Sequence, residues 1–234
     1  MPTNTYNHND ITLYCKGRPR YVEGNSSPLD SSVGMPYFSS MRQAFKEWAI
    51  VVDALRQGEQ IIVLRKGGLR EGRGGFQIEQ SEFWLFPTLF HQQGETVVPK
   101  AQARYAEIAP QWPGPDVVRL ECLARVVAWQ RLESRQAAEA LRGQHIWRDE
   151  VIAERFDWGR AREIHALAVR IYRLPAPIEL PMRESYGGCK SWVELAEDIG
   201  TEDVAPVLDD EAFAVRLRQF KEALAVVAKP LVLP

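Results

Sequence analysis

The stretch from Ile61 to Gln92 constrains the fold most, because it places two apolar runs on either side of a glycine-rich segment. The first run covers Ile61–Leu64, and the second covers Phe83–Phe86 and stops at Pro87. Short apolar runs bounded by turn-forming residues are typical of buried β-strands. The sequence therefore predicts two strands that hold a charged, glycine-rich loop between them, an arrangement that often carries a functional site.

The segment before this stretch has two interpretations. The β-branched run Ile50–Val52 and the apolar return at Gln60–Arg65 predict a β-hairpin, with its turn at residues 56–59. In the alternative, Arg42–Trp48 forms a helix that leads into the first strand.

Further along the chain, apolar spacing predicts both long strands and short helices. Three prolines and a glycine exclude regular structure from residues 109–116. The proline-rich run Leu174–Pro181 is predicted to lie at a sheet edge or outside a sheet, because proline cannot donate a ladder hydrogen bond. Lys190–Leu195 is either a short strand or the start of a helix. The other predicted elements are strands at Val117–Arg131 and Ile164–Leu174, and helices at Lys100–Ala109, Ser134–Leu141 and Arg148–Phe156.

The C-terminal segment has the clearest helical pattern. Its apolar residues recur in steps of three and four and form one stripe: Phe213, Leu217, Phe220, Leu224 and Val227. Asp209 precedes the pattern and has the side chain that an N-cap requires. We predict a long amphipathic helix that ends before Pro230.

Together these elements predict an α+β fold. Its core is a mainly antiparallel β-sheet, either open or barrel-like, packed by three or four helices that include the long C-terminal one. Residues 1–40 are polar, and we expect them to be disordered or to precede the native start of the protein. We expect residues 41–234 to form a single α+β domain, or two subdomains divided near residues 109–116.

Composition narrows the class of protein. A net charge of −2 argues against a protein that coats nucleic acid indiscriminately. Residues 119–173 nevertheless contain 11 arginines, no lysine and 8 acidic residues, whereas residues 184–222 contain 10 acidic and 4 basic residues. Arginine favours carboxylate and phosphate partners, although solvated faces and internal ion pairs also explain this pattern. Three cysteines without a CxxC pair, no secretory signal and no membrane-spanning apolar run indicate a cytoplasmic protein.

Two segments carry the candidate ligand-binding residues. The first is the charged loop, whose cations and backbone N–H groups can hold phosphate, although it lacks the GxxxxGK[ST] pattern of a P-loop. The second is Gly187–Trp192, where Lys190 adjoins the thiol of Cys189; packing of this thiol and of Trp192 in the core is the alternative. The predicted ligand-binding set is Arg65, Lys66, Arg70, Arg73, Trp84, Thr88, Gln92, Tyr186, Cys189, Lys190, Ser191 and Trp192.

Acid–base chemistry has one candidate set, formed by Glu79, Glu82 and His91. These residues would suit a metal-assisted hydrolase of a nucleotide-like small molecule. The alternative is two surface carboxylates and a hydrogen-bonded histidine. Without a CxxC pair no thiolate zinc site is predicted, no metal ligand is assigned, and the sequence leaves the cofactor and the question of enzymatic activity open.

Four segments in this order resemble an uncharacterised bacterial family, domain of unknown function 1802: AFKEWAIVVDAL, IIVLRKGG, FWLFPTLFHQ and YGGCKSWVEL. The resemblance covers about residues 42–225, and the family has no established activity. The residues of this sequence that occupy the family's motif positions are Arg65, Lys66, Trp84, Pro87, Thr88, His91, Gln92, Gly188, Cys189, Lys190, Ser191 and Trp192.

The resemblance implies that the protein belongs to a restriction–modification system, in which a restriction-type nuclease also acts. Such nucleases carry an acidic residue two positions before a lysine, and no lysine in this sequence has one. We therefore expect a nucleic-acid or nucleotide recognition domain associated with restriction-type systems, with Trp84 or Trp192 beside the base. Besides the hydrolase, the alternative is a non-catalytic partner subunit whose acidic C-terminal region binds a basic protein.

Overall fold

The computed structural model describes residues 40–66, 81–89, 93–159 and 161–228, with short strand fragments at 12–13, 71–72 and 75–76. The strands there are β1 (Thr12–Leu13), β2 (Ser40–Trp48), β3 (Ile62–Arg65), β4 (Glu71–Gly72), β5 (Gly75–Phe76), β6 (Glu82–Thr88), β7 (Val117–Leu132), β8 (Ile164–Pro181), β9 (Trp192–Gly200) and β10 (Ala205–Pro206). The helices are α1 (Ala49–Arg56), α2 (Pro99–Ile108), α3 (Arg135–Glu139), α4 (Asp149–Asp157) and α5 (Asp210–Ala228). None of these helices combines the length and the apolar character needed to cross a bilayer.

One mainly antiparallel sheet organises these elements, in the strand order β10-β8-β7-β6-β2-β9. β3 also pairs with the start of β8, and β1 pairs with β7. The pairing of β2 with β6 is parallel. Within the described strands, β9 and β10 end the order without pairing with each other, so the sheet is open rather than closed into a barrel. The predicted α+β class and the mainly antiparallel sheet are confirmed.

Both interpretations of the segment before β3 are wrong. Arg42–Trp48 belongs to strand β2, and Ile50–Val52 lies inside helix α1. Every residue of α1 from Ala49 to Leu55 is buried, so its apolar character reflects burial on all sides rather than strand geometry. The buried side-chain oxygen of Gln93 accepts a hydrogen bond from the Ile50 N–H at 3.1 Å and satisfies one free donor at the helix start.

The apolar run of β6 is explained by burial on both faces of the sheet. Phe83 and Leu85 pack into the larger core against the helices, whereas Trp84 and Phe86 pack into a second cluster on the other face. A strand buried on both faces needs no polar alternation. β6 continues beyond the predicted run, through Pro87 to Thr88.

The remaining predicted elements are close to the observed ones. Strand β7 and helices α2, α3 and α4 begin and end within a few residues of the predicted bounds. Strand β8 begins at Ile164 as predicted, but it continues past the predicted end at Leu174, through the proline-rich run to Pro181. The proline-rich half of β8 pairs with β7 alone among the described strands, as the edge prediction requires. Lys190–Leu195 leads into strand β9, which confirms the strand alternative.

Helix α5 confirms the predicted stripe and cap. The Asp209 side chain accepts a hydrogen bond from the Ala212 N–H at 2.7 Å, which is the N-cap interaction. Phe213, Phe220 and Leu224 are buried against the core, and Leu217 is half-buried. The side chain of Val227 and the whole of Pro230 lie outside the described residues.

We expect Gly58→Ala to destabilise the fold by about 2 kcal/mol, and Gly143→Ala by about 1 kcal/mol. Both glycines have a positive φ, 69° and 80°, which costs any residue with a Cβ atom. At position 58 the new Cβ would also lie 2.7 Å from Leu208 Cδ2, so Leu208 must move, whereas nothing lies within 4 Å at position 143. Urea denaturation of the two variants checks this order, and equal losses would contradict the steric argument.

Candidate functional site

The end of strand β3 meets the start of β9 at Arg65. Its Nη2 donates to Ser191 Oγ at 2.7 Å, and its Nη1 donates to the Lys46 carbonyl oxygen at 3.3 Å. The guanidinium also stacks on the Phe45 ring, 4.7 Å from the ring centroid. Pairing of β2 with β9 places Ser191 here, because the Lys46 N–H donates to the Ser191 carbonyl oxygen at 2.8 Å. We name Lys46, Glu47, Arg65, Lys190 and Ser191 the Arg65 cluster.

Glu47 is the carboxylate of this cluster. Its side chain is only 3% exposed, and its Oε2 lies 3.5 Å from Arg65 Nη1. Its Oε1 accepts a hydrogen bond from the Trp48 N–H at 2.8 Å, which fixes the carboxylate beside the start of α1. A buried carboxylate held in this way keeps the guanidinium of Arg65 in one orientation.

Arg155 of helix α4 adds a second guanidinium next to Glu47 and Arg65. Its charged group lies 3.7 Å from the centroid of the Trp147 ring and 5.4 Å from that of Trp48. The pKa of Arg155 is lowered to about 10, mainly by burial; the negative charge of Glu47 opposes this shift, and the positive charge of Arg65 contributes to it. One carboxylate thus faces two guanidinium groups, which leaves the region with excess positive charge.

Two lysines extend the positive charge toward the surface. Lys46 Nζ donates to the Gly188 carbonyl oxygen at 3.1 Å, and Lys190 Nζ donates to the Ser185 carbonyl oxygen at 2.7 Å. The pKa of Lys46 lies below its ordinary value, first because of burial and second because of repulsion by Lys190. Like charges held together on neutral partners are typical of a site for an anion.

The side chain of Lys66, in contrast, binds carbonyl groups at and just beyond the C-terminal end of helix α4. Its Nζ donates to the Phe156 carbonyl oxygen at 2.8 Å and also to the Ala161 carbonyl oxygen. A cation at the C-terminal end of a helix stabilises its free carbonyl groups. Lys66 therefore anchors α4 at the position where the glycine-rich loop begins.

The aromatic residues of the predicted set differ in exposure. Trp84 and Tyr186 are fully buried in the second core cluster, where Trp84 Nε1 donates to the Met41 carbonyl oxygen at 3.2 Å. Trp192 is half-buried and packs edge-on against Phe45 and Phe83, with ring centroids 4.9 and 5.1 Å away. Of these three side chains, only Trp192 lies both beside the Arg65 cluster and partly open to solvent.

Three of the remaining predicted residues, Thr88, Cys189 and Glu82, lie within the described part of the chain, and five lie outside it. Thr88 Oγ1 donates to the Glu47 carbonyl oxygen at 3.1 Å, and the Cys189 thiol is exposed beside the two lysines. Glu82 pairs with Arg125 across β6 and β7. Among the residues that the structure describes, no group of three or more metal-ligating side chains occurs. The predicted residues outside the described chain are Arg70, Arg73, Glu79, His91 and Gln92.

Sequence reasoning did not single out Glu47, Trp48, Trp147 or Arg155. The only signal available was the arginine-rich, lysine-free composition of residues 119–173, which includes Arg155. Glu47 and Trp48 lie in a segment that was predicted as a helix or as the approach to a strand, so their side-chain directions were not predicted. Their convergence depends on the pairing of β2 with β9 and on the packing of α4.

Fold and site together define an α+β protein with a cationic cluster at the end of its sheet. The chain belongs to the family described as "Domain of unknown function (DUF1802)", which matches residues 44–219. This confirms the family that the four sequence segments indicated. No curated protein matches the sequence.

Solved structures give a more distant likeness. The ASCH protein from Zymomonas mobilis is 12% identical, with a TM-score of 0.39 over 66% of this chain and 87% of that chain. A mutant of the same protein is also 12% identical, with a TM-score of 0.38 over 66% of this chain and 90% of that chain.

Proposed function

We propose that the Arg65 cluster binds the phosphate groups of a nucleic acid or nucleotide. The main support for this proposal is that Lys46, Arg65 and Lys190, from three separate segments of the chain, lie close together. Glu47 is the only carboxylate with which the described structure pairs any of these three cations. A phosphate would supply the negative charge that the two lysines lack.

The chemistry of each cation suits a phosphate ligand. Arg65 presents a planar fork that is already oriented by Ser191 and Glu47, so little side-chain entropy is lost on binding. The ammonium groups of Lys46 and Lys190 bind as point charges whose attraction weakens with salt. Trp192 lies one residue after Ser191, and its partly exposed indole offers a surface on which a base can stack.

The double variant Lys46→Gln and Lys190→Gln is expected to weaken binding of short single- and double-stranded DNA and RNA about tenfold or more at low salt. It should also reduce the slope of log K against log salt concentration by about 2, because two phosphate contacts are lost. Fluorescence anisotropy with labelled oligonucleotides between low and moderate salt measures both quantities.

Lys100→Gln is the matched control, since Lys100 is exposed on α2 and pairs with Glu59 at 2.7 Å. Its affinity and salt slope should equal those of the wild-type protein. Absence of binding by the wild-type protein at low salt would overturn the proposal, as would equal affinity of the double variant and the control.

Association with restriction-type systems is a separate proposal that the family resemblance supports. The role of a partner subunit is another, and it is supported by the acidic C-terminal region, which would bind a basic protein. Co-purification of the tagged protein from its native cells, followed by identification of bound nucleases, tests both. The alternative hydrolase is tested with a nucleotide panel and added Mg²⁺ or Mn²⁺, where His91→Ala should abolish any turnover.

A further inference from the structure

A separate cavity of about 260 Å³ lies between α1, α2 and the start of β7. None of its lining residues belongs to the Arg65 cluster. Its volume lies just below the range of about 300–1,000 Å³ that is usual for drug-sized ligands. The cavity therefore suits one small ring system rather than an extended molecule.

The charged side of this cavity is formed by Asp53 and the two arginines that bind its carboxylate. Its buried carboxylate accepts two hydrogen bonds from Arg104, at 2.9 and 3.2 Å, and one from Arg56 at 2.7 Å. Burial works to raise the pKa of Asp53, but these hydrogen bonds outweigh it and hold that pKa below its ordinary value. Asp53 is thus a permanent anion at neutral pH that holds both guanidinium groups in place.

The cavity wall has no excess of positive charge, in contrast to the Arg65 cluster. Arg56 and Arg104 face Asp53 and Glu121, and Arg119 is paired with Glu179 at 2.8 Å. Each guanidinium at the wall therefore already has a carboxylate partner. A neutral ligand fits such a wall better than a phosphate does.

One donor and one acceptor at this wall remain available. Arg56 uses its Nη2 for Asp53 and directs its Nε toward Glu121 at 3.4 Å, which leaves Nη1 without a hydrogen-bond partner among the described residues. In the same part of the chain Glu121 accepts no hydrogen bond within normal geometry. A ligand atom that accepts can therefore pair with Arg56, next to a ligand atom that donates to Glu121.

The lining also contains apolar side chains and a positioned indole. Trp112 is half-buried and stands edge-on to Tyr105, with ring centroids 5.3 Å apart and planes at 78°. Aliphatic side chains such as those of Val52, Ile108 and Val118 add to the apolar surface. A planar ring would gain contact area against Trp112 at little entropic cost.

We propose that this cavity binds a small, planar, uncharged heterocycle that carries a hydrogen-bond acceptor beside a donor, as in a ring lactam. The acceptor pairs with Arg56, the donor pairs with Glu121, and the ring packs against Trp112. The proposal concerns a second site and is independent of phosphate binding at the Arg65 cluster.

Titration of the full-length protein with hypoxanthine, a ring lactam, tests the proposal by calorimetry and by quenching of tryptophan fluorescence. We expect saturable binding, and binding at least tenfold weaker for 1-methylhypoxanthine, in which the donor N–H is blocked. Glu121→Gln and Trp112→Leu should each weaken hypoxanthine binding about tenfold, because they remove the charged acceptor and the ring contact. Glu150→Gln, which changes an exposed carboxylate that pairs with Arg148 outside the cavity lining, should have no effect.

Absence of saturable binding at millimolar hypoxanthine would overturn the proposal. Equal affinity for the two ligands would overturn it as well, because the donor would then play no part. The third contradictory result is unchanged binding by both cavity variants, provided that circular dichroism shows them to be folded. DNA binding by the Lys46 and Lys190 variants is measured separately, so either idea can fail alone.

Discussion

Phe220→Ala is expected to lower the free energy of unfolding by about 3–5 kcal/mol, which is the usual loss for truncating a buried phenylalanine. Phe220 is completely buried and is the most enclosed of the side chains that the structure describes on helix α5. It packs into the larger core cluster with Phe213 and Leu224 of the same helix. Removing the ring leaves a cavity beneath the helix that its neighbours cannot fill completely. Urea denaturation followed by far-ultraviolet circular dichroism measures the loss.

Val226→Ala provides a matched control on the same helix. Its side chain is 73% exposed, so its truncation should change stability by less than about 0.5 kcal/mol. A loss below about 1 kcal/mol for Phe220→Ala would contradict the packing of α5 against the core. Equal losses for the two variants would contradict it in the same way.

The unfolding free energy is expected to fall by about 3 kcal/mol between pH 7 and pH 4 through His145 alone. The pKa of His145 is lowered from 6.5 to about 4, mainly by burial; Asp149 opposes the shift, and the positive charges of Arg155 and Arg142 contribute to it. In the folded protein the ring is therefore neutral, and its Nδ1 accepts a hydrogen bond from the Trp147 N–H at 3.2 Å. The unfolded chain binds a proton near pH 6.5, so its stability relative to the folded chain increases as the pH falls toward 4.

His145→Asn isolates this contribution, because the asparagine oxygen can accept the same backbone hydrogen bond without titrating. The variant is expected to show a smaller decline in stability between pH 6.5 and pH 4, while carboxylates affect both proteins alike. Urea denaturation at several pH values in this window measures the two slopes. Parallel curves for the wild-type protein and the variant would contradict a buried neutral histidine.

The fold was predictable where local patterns and burial agree. Helix α5 follows from its apolar stripe and its Asp209 cap, both of which are local features. Strand β6 follows from its unbroken apolar run. Helix α1 was mispredicted, because its β-branched residues are typical of strands in isolation. Burial of all its residues from Ala49 to Leu55 outweighs that local preference.

The candidate site was predictable only in part. The motif positions Arg65, Lys190 and Ser191 were selected from the sequence, and the structure brings them together. Arg155 and Glu47 were not selected, because a charged residue on a helix or strand is usually a solvated one. Only the packed structure shows that their side chains meet beside Trp48 and Trp147.

By itself, the sequence determined the α+β class, the capped C-terminal helix and the two segments that contribute Arg65 and Ser191. The tertiary structure decided which charges face one another, and it created the cavity at Asp53 and Trp112. The physical reason is that helix and strand periodicity act over a few neighbouring residues. Contacts such as Arg65 with Ser191 join residues 126 positions apart, and they form only when strand pairing and core packing bring those residues together.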